Sequence, residues 1–243
     1  RLVKNSIGKK IMQLVQFRDL GKMEYGYAWK LQESIFNDIV QKKLKNRVLN
    51  DEEQLTYSHQ LLFVEHNPVI TLGKSANENN VLLNETLLNQ NGVSLFHINR
   101  GGDVTYHGPG QIVGYPILDL DYFFTDLGKY LRSIEEVIIL TLADYGLQGE
   151  RLPGATGVWL DATNKNARKI CAIGIRSSRW VTMHGFAFNV NTDLNNFKLI
   201  IPCGIQDKAV TSLEKELGKQ IPLDEVKAKL KQHFATVFNC KLI

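Results

Sequence analysis

Apolar positions recur along this chain with two periods, near two over short runs and near 3.6 over longer ones, which is the pattern of strands interleaved with helices. Residues 11–17 predict a first strand, and residues 23–45 a helix carrying Tyr27, Leu31, Ile35, Ile39 and Leu44 on its apolar side. Residues 61–65 and 69–73 are short β-rich runs separated by Asn67-Pro68, which predicts two strands paired around a turn. Residues 93–98 and 111–120 are further extended segments. A helical pattern then runs over 126–145 through Leu127, Leu131, Ile134, Ile138 and Leu142, with Gly146 placed to stop it. Residues 158–160, 169–176 and 182–191 read as strands, 161–167 as a polar loop, and 223–238 as a closing amphipathic helix. No repeat, linker or low-complexity segment interrupts residues 1–243. The expectation is a single α+β domain, a central mixed sheet flanked by helices.

Composition narrows the classes without choosing among them. A 243-residue chain with 44% hydrophobic and 22% charged residues is long enough to bury a core and is ordinary for a globular protein. It holds no apolar run of membrane-spanning length. The net charge of +4, from 29 basic and 25 acidic residues, is too balanced to argue for nucleic acid. Lysines cluster at Lys42, Lys43 and Lys45 with Arg47, and again at Lys227, Lys229 and Lys231, leaving open solvated helix faces or a basic face for an acidic partner. Cys171, Cys203 and Cys240 are too scattered for a disulfide framework or a zinc site, which fits a reducing, cytoplasmic compartment. Residues 1–10 hold Arg1, Lys4, Lys9 and Lys10 and no acid, as a transit peptide does, but no apolar signal core follows.

Candidate chemistry concentrates in Arg100-Gly101-Gly102-Asp103-Val104-Thr105-Tyr106-His107-Gly108-Pro109-Gly110-Gln111, a glycine-rich loop between two apolar segments. Such a loop serves a turn or wraps a ligand, because glycine lets the backbone approach another group closely. Three later segments accompany it: Gly154-Ala155-Thr156-Gly157-Val158-Trp159; Lys169-Ile170-Cys171-Ala172-Ile173-Gly174 running on to His184-Gly185-Phe186-Ala187-Phe188-Asn189-Val190-Asn191; and Pro202-Cys203-Gly204 before Val210-Thr211-Ser212-Leu213. In this order and spacing the set resembles the lipoyl(octanoyl) transferases from about Leu62 to Leu213. Those enzymes move an octanoyl group from acyl carrier protein onto a lysine of a lipoyl domain.

The resemblance implies a fold like that of the lipoate and biotin protein ligases, which is class II synthetase-like. It makes Cys203 the nucleophile that takes the acyl group as a thioester, and Lys169 the neighbour that manages protons. The chemistry suits a thiol, because exchange between thioesters is nearly neutral in energy. An unperturbed thiol is only roughly 3% ionised at about pH 7, so a nearby ammonium would be needed to favour the thiolate. Strand alternation would put Lys169, Cys171 and Ile173 on one face, which makes Cys171 a rival thiol.

The same resemblance implies an acyl pocket formed by Arg100, Gly101, Gly102, Tyr106, His107, Gly108, Gly157, Ala172, Ile173, Gly174, His184, Gly185, Phe186 and Ala187. Arg100, Gly101 and Gly102 are expected to stand over the acyl carbonyl, where an oxyanion forms. His66 is expected to stabilise a turn. Thr211 and Ser212 are expected to start a helix with Glu214 placed for a capping contact, which leaves open a plain N-cap or a helix dipole that supports negative charge. No metal or cofactor is implied. The implied partners are octanoylated acyl carrier protein, the lipoyl domains of 2-oxo acid dehydrogenases and the glycine cleavage H protein, with neither nucleic acid nor membrane.

An ATP-dependent lipoate or biotin ligase is the nearest alternative. His107 is followed here by Gly108-Pro109-Gly110 rather than the ligase-like Asp-x-Gly-Asn, and Cys203 is present, and both features favour the transferase. A basic binding module lacks an aromatic-interleaved basic motif, and a papain-like hydrolase lacks its local cysteine motif.

Overall fold

The computed structural model describes residues 12–201 and 209–243, so the basic segment 1–10 lies outside the described residues. Among those residues nine strands form one mixed sheet. Its edge begins with β12 (Cys240–Leu242), β1 (Gln13–Lys22) and β2 (His59–Glu65), which run parallel to one another. Antiparallel pairing continues through β6 (Gln111–Ile117), β10 (Val181–Asn189), β9 (Arg168–Ser178), β8 (Ala155–Leu160) and β7 (Glu150–Leu152), and β11 (Ala209–Val210) lies parallel to β9. A second sheet holds β3 (Val69–Leu72) between β4 (Ser94–His97) and β5 (Val104–His107). The α+β class expected from the patterning is the class observed.

The two apolar runs around Asn67-Pro68 are both strands, but they do not pair. β2 pairs with β1 and β6, whereas β3 pairs with β4 and β5, so the turn carries the chain from one sheet to the other. All four residues of β3 are buried, and so are six of the seven in β2. Strands covered on both faces show no alternation from which a hairpin could be read.

α1 (Tyr25–Lys45) packs on one face of the large sheet. Its first turn is capped by Glu24, whose carboxylate accepts from Gly26 N at 2.9 Å and Tyr27 N at 3.2 Å. The buried stripe is Tyr25, Ala28, Gln32, Phe36 and Ile39, not the expected one through Tyr27, which is 68% exposed. A constant step of four residues winds about 40° around a helix each time, so only a mixed spacing of three and four stays on one face. On the opposite face α3 (Leu127–Ala143) and α5 (Leu223–Phe238) bury Tyr130, Ile138, Leu142, Leu230 and Phe234 against Leu61, Phe63, Phe186 and Phe188. α3 starts at Asp126, whose side chain accepts from Lys129 N at 2.9 Å, and Gly146 lies just past its end at φ +73°. α2 (Glu85–Gln90) packs Leu88 beneath the second sheet.

Five lysines of the two clusters have partners within the fold, while Lys45 and Arg47 stand exposed at the end of α1. Lys42 pairs with Asp38 at 2.9 Å, Lys227 with Asp19 at 2.8 Å and Lys229 with Asp144 at 3.6 Å, while Lys231 lies 4.0 Å over the Phe17 ring. Lys43, with a side chain only 10% exposed, bridges Asp119 at 2.5 Å and Asp121 at 2.7 Å. Asp119 is buried and also accepts from Tyr57 Oη at 2.8 Å. Lys43→Ala should therefore cost about 3 kcal/mol in urea unfolding, because it strands a buried carboxylate. Lys42→Ala, which loses an exposed pair, should cost less than about 0.5 kcal/mol. Equal small losses would show that Asp119 does not depend on Lys43.

Candidate active site

A cavity of about 290 Å³ opens between the large sheet and the second sheet. Its floor follows from sequence. Ala172 on β9 pairs with Ala187 on β10, and Gly174 with Gly185, so four residues no larger than alanine lie side by side in register. Cross-strand partners share a face, and at these two pairs nothing longer than a methyl group rises from it. The loop after β4 closes one wall: Gly101 N donates to Ile175 O at 2.8 Å, and a Cβ on Gly174 would come within 2.9 Å of Gly101 O. Val113, Tyr115, Thr105, Tyr25 and Phe186 complete an apolar and aromatic lining.

Arg100 reaches the cavity with its guanidinium tethered from behind. Nη2 donates to the carbonyl and to the hydroxyl of Thr71, both at 2.9 Å, and Nη1 to Gly101 O at 3.1 Å. Lys169 also lines the cavity, with Nζ 4.7 Å over the Trp159 ring. Its main chain is part of the frame, because Thr211 N donates to Lys169 O at 2.9 Å and Val210 pairs with Lys169.

Simple alternation fails at Lys169. Val158 pairs with Cys171 but Trp159 pairs with Lys169, so Ile170 is an extra residue in β9. This β-bulge reverses the parity of the strand. Lys169 and Ala172 face the cavity, while Ile170 and Cys171 both enter the core beneath α3 and α5. Cys171 is therefore not beside Lys169 on one face. It is wholly buried, and burial pushes its thiol well above the ordinary range. Cys203 lies outside the described residues. The flanking chain is anchored at both ends: Ile201 N donates to Asn80 O at 2.8 Å, and Ala209 pairs with Arg168.

Three imidazoles surround the inner part of the cavity. His107 and His184 line it, and His66 stands behind, holding Met23 O and Tyr115 Oη at 2.8 Å each. His66 thus ties the chain before α1 to β6. Gln111 fixes the ring of His107, since its Nε2 donates to Tyr106 O at 3.2 Å and Asn189 Oδ1 at 2.9 Å, leaving Oε1 to accept from His107 Nδ1 at 2.8 Å. Asn189 Nδ2 continues the chain of bonds to Thr211 O at 3.0 Å. His184 sits at φ +59°, where its N–H donates to Gln32 Oε1 at 3.0 Å and its Nε2 meets Asn99 Oδ1 at 3.2 Å. Desolvation pushes His107 and His184 down to about 3 and His66 to about 4, helped at His107 by His66 and Arg100, and at His184 by Arg100 and Arg176. All three are neutral near pH 7. Arg100 and Lys169 are then the cationic side chains of the lining, and Asp103, its carboxylate, is held by Asn80 Nδ2 at 2.6 Å and Asn77 N at 3.2 Å.

Of the residues expected from the sequence, Arg100, Gly102, His107, Lys169, Ala172, Ile173, Gly174, His184, Gly185, Phe186 and Ala187 come together in this lining. Gly101, Tyr106, Gly108 and Gly157 stand behind it. Tyr106 is buried in the core of the second sheet, and a Cβ on Gly108 would lie 2.1 Å from its hydroxyl. Ser212, not Glu214, caps α4 (Leu213–Leu217) by accepting from Lys215 N at 3.2 Å. Thr211 is held by Glu216 at 2.5 Å, and a five-residue helix is too short for the expected dipole role. Thr71, Gln111, Asn189 and Glu135 are supports that sequence reasoning passed over. Among the described residues no cluster of ligands suits a metal ion, and no helix is long and apolar enough to cross a membrane.

Solved structures of lipoate protein ligases share this fold. Lipoate-protein ligase A bound with ATP aligns with a TM-score of 0.64 at 15% identity, over 96% of this chain and 90% of that one. The bipartite lipoate protein ligase of Thermoplasma acidophilum aligns with a TM-score of 0.65 at 16% identity, over 96% and 85%. At such identities the likeness is one of fold. The sequence profile of the lipoyl protein ligase A/B catalytic domain matches residues 24–235. The octanoyltransferase of Flavobacterium johnsoniae is 56% identical over 94% of this chain and 98% of its own, and that of Christiangramia forsetii 57% identical over 94% and 97%. The chain belongs to the lipoyl protein ligase A/B catalytic domain family, in its octanoyltransferase branch.

The buried imidazoles make stability depend on pH. Each stays neutral in the fold down to about 3 or 4, whereas an unfolded histidine takes a proton near 6.5, so below about pH 6.5 the unfolded state binds more protons. Stability should be fully present above that pH and fall as pH drops toward 4. By pH 5.5, still above the carboxylate range, the loss should be about 1 kcal/mol per histidine, read as a lower urea midpoint. A midpoint unchanged between pH 7.5 and 5.5 would mean that the fold accepts protonated rings.

Proposed function

We propose that the chain transfers an octanoyl group from octanoyl-acyl carrier protein to the lysine amine of a lipoyl domain, through a thioester on Cys203 with Lys169 managing the protons. The observation that carries this reading is the near-full-length identity of 56% and 57% to two octanoyltransferases. Its chemistry fits the cavity, whose floor of Ala172, Gly174, Gly185 and Ala187 suits an alkyl chain lying on the sheet. Acceptors of the same reading are the lipoyl domains of 2-oxo acid dehydrogenases and the glycine cleavage H protein.

In this reading the Cys203 thiolate attacks the carbonyl carbon of the carrier thioester, and negative charge develops on the oxygen. Arg100 and the loop amides supply positive potential there. Collapse breaks the carrier C–S bond, and the departing thiolate takes a proton from the Lys169 ammonium. The lipoyl lysine amine then attacks the Cys203 thioester, gives a proton to neutral Lys169, and leaves an amide and the starting thiolate and ammonium. The donor is already activated, so no nucleotide enters.

Transfer should therefore run at an unchanged rate in excess chelator without ATP, and free octanoate with ATP should give no product. An absolute need for ATP would identify a ligase instead. Lys169→Ala should slow acylation about 10²-fold, with partial recovery at higher pH as unaided thiolate accumulates. Ala187→Leu fills the floor, so kcat/KM should fall at least about tenfold for octanoyl and much less for butanoyl donors. Equal losses for both chain lengths would mean that the acyl tail lies elsewhere.

A further inference from the structure

Glu135, on the α3 side of the large sheet, has no part in the chemistry above and no exposure to solvent. A buried carboxylate is costly unless its oxygens are used. Here Oε2 accepts from Arg132 Nη1 at 2.7 Å and Arg151 Nε at 3.1 Å, and Oε1 accepts from the main-chain N–H of Gly157 at 3.1 Å. Gly157, on β8, pairs with Ala172, one pair before the bulge that lies between Val158 and Trp159 and turns Lys169 toward the cavity. It stands at φ +128°, a conformation that side chains rarely adopt, and a Cβ there would lie 2.5 Å from Cys171 O and 3.4 Å from Lys169 Cε. The lysine stem passes directly over this glycine.

A bulge sits between two alternative registers, and a slip of one residue exchanges the faces of every side chain beyond it. Which face Lys169 takes depends on holding β8 still while β9 absorbs Ile170. We propose that Glu135 is a positioning residue for Lys169: its carboxylate pins Gly157 N in the positive-φ conformation that keeps the bulge in register, and so keeps the lysine stem over Gly157 and directed into the cavity. The proposal rests on the reading of Lys169 as the proton-handling residue.

The test is the pH profile of the acylation rate, followed by rapid quench and intact mass with octanoyl-acyl carrier protein as donor, in wild type, Glu135→Gln, Glu135→Leu, Lys169→Ala and the Glu135→Leu/Lys169→Ala double variant. Glu135→Leu should lower the rate at least about tenfold and move its pH profile toward that of Lys169→Ala, with KM for the donor little changed. Glu135→Gln, which keeps an acceptor for Gly157 N but loses the charge, should fall between. In the Lys169→Ala background Glu135→Leu should add little, because the group it positions is gone. A wild-type pH profile in both Glu135 single variants, or a double variant that loses the full product of the two effects, would overturn the proposal. If Glu135→Leu does not fold, Glu135→Gln decides by the shift of its profile alone. A Lys169→Ala enzyme with the wild-type profile would instead sink the reading of Lys169, and the proposal with it.

Discussion

A space persists between two packed sheets because two neighbouring strand pairs beneath it are Ala172 with Ala187 and Gly174 with Gly185. Protein interiors otherwise close to crystal-like density, and larger side chains at these positions would fill the gap. The groups around the cavity hold its walls apart by bonds made from behind. Thr71 fixes Arg100, Glu65 accepts from Gly110 N at 2.9 Å to hold the turn before β6, and His66 ties Tyr115 to the chain before α1. The polar chain from His107 through Gln111 and Asn189 to Thr211 joins the second sheet to β11 across the main sheet. Rigid walls around a flat apolar floor are what a flexible acyl chain requires for binding in one orientation.

The same burial sets the charge of the site. Three imidazoles that would titrate near neutrality in water are held neutral, while the guanidinium of Arg100 stays ionised. The lining is thus biased toward positive potential, as the proposed acyl transfer requires. Cys171 illustrates the opposite use of burial. Its thiol lies on the core face of β9, in one apolar cluster with Phe188 and Val158, and is kept protonated there.

Much of this was legible in the sequence. The helices at 126–145 and 223–238 and the strands flanking the glycine loop announced themselves by periodicity, and the ordered motifs assembled eleven of the expected residues around one cavity. What was not legible has physical causes. The bulge at Ile170 is a tertiary event between β8 and β9, invisible to strand alternation, and it decided the orientations of Lys169 and Cys171. The separation of β2 from β3 was hidden because both are covered on two faces. The ion pairs of Lys43, Lys227 and Lys229 were hidden because their acidic partners, Asp119, Asp19 and Asp144, are distant in sequence.

Passage of the acyl group through a thioester on Cys203 is the step on which the proposed chemistry turns. Intact mass of the protein after mixing with octanoyl-acyl carrier protein, followed by peptide mapping, tests it most directly. A gain of one octanoyl group on the peptide holding Cys203, and none in Cys203→Ala, is the predicted result. Octanoate found on Cys171, or a Cys203→Ala protein that turns over at the wild-type rate, would contradict it.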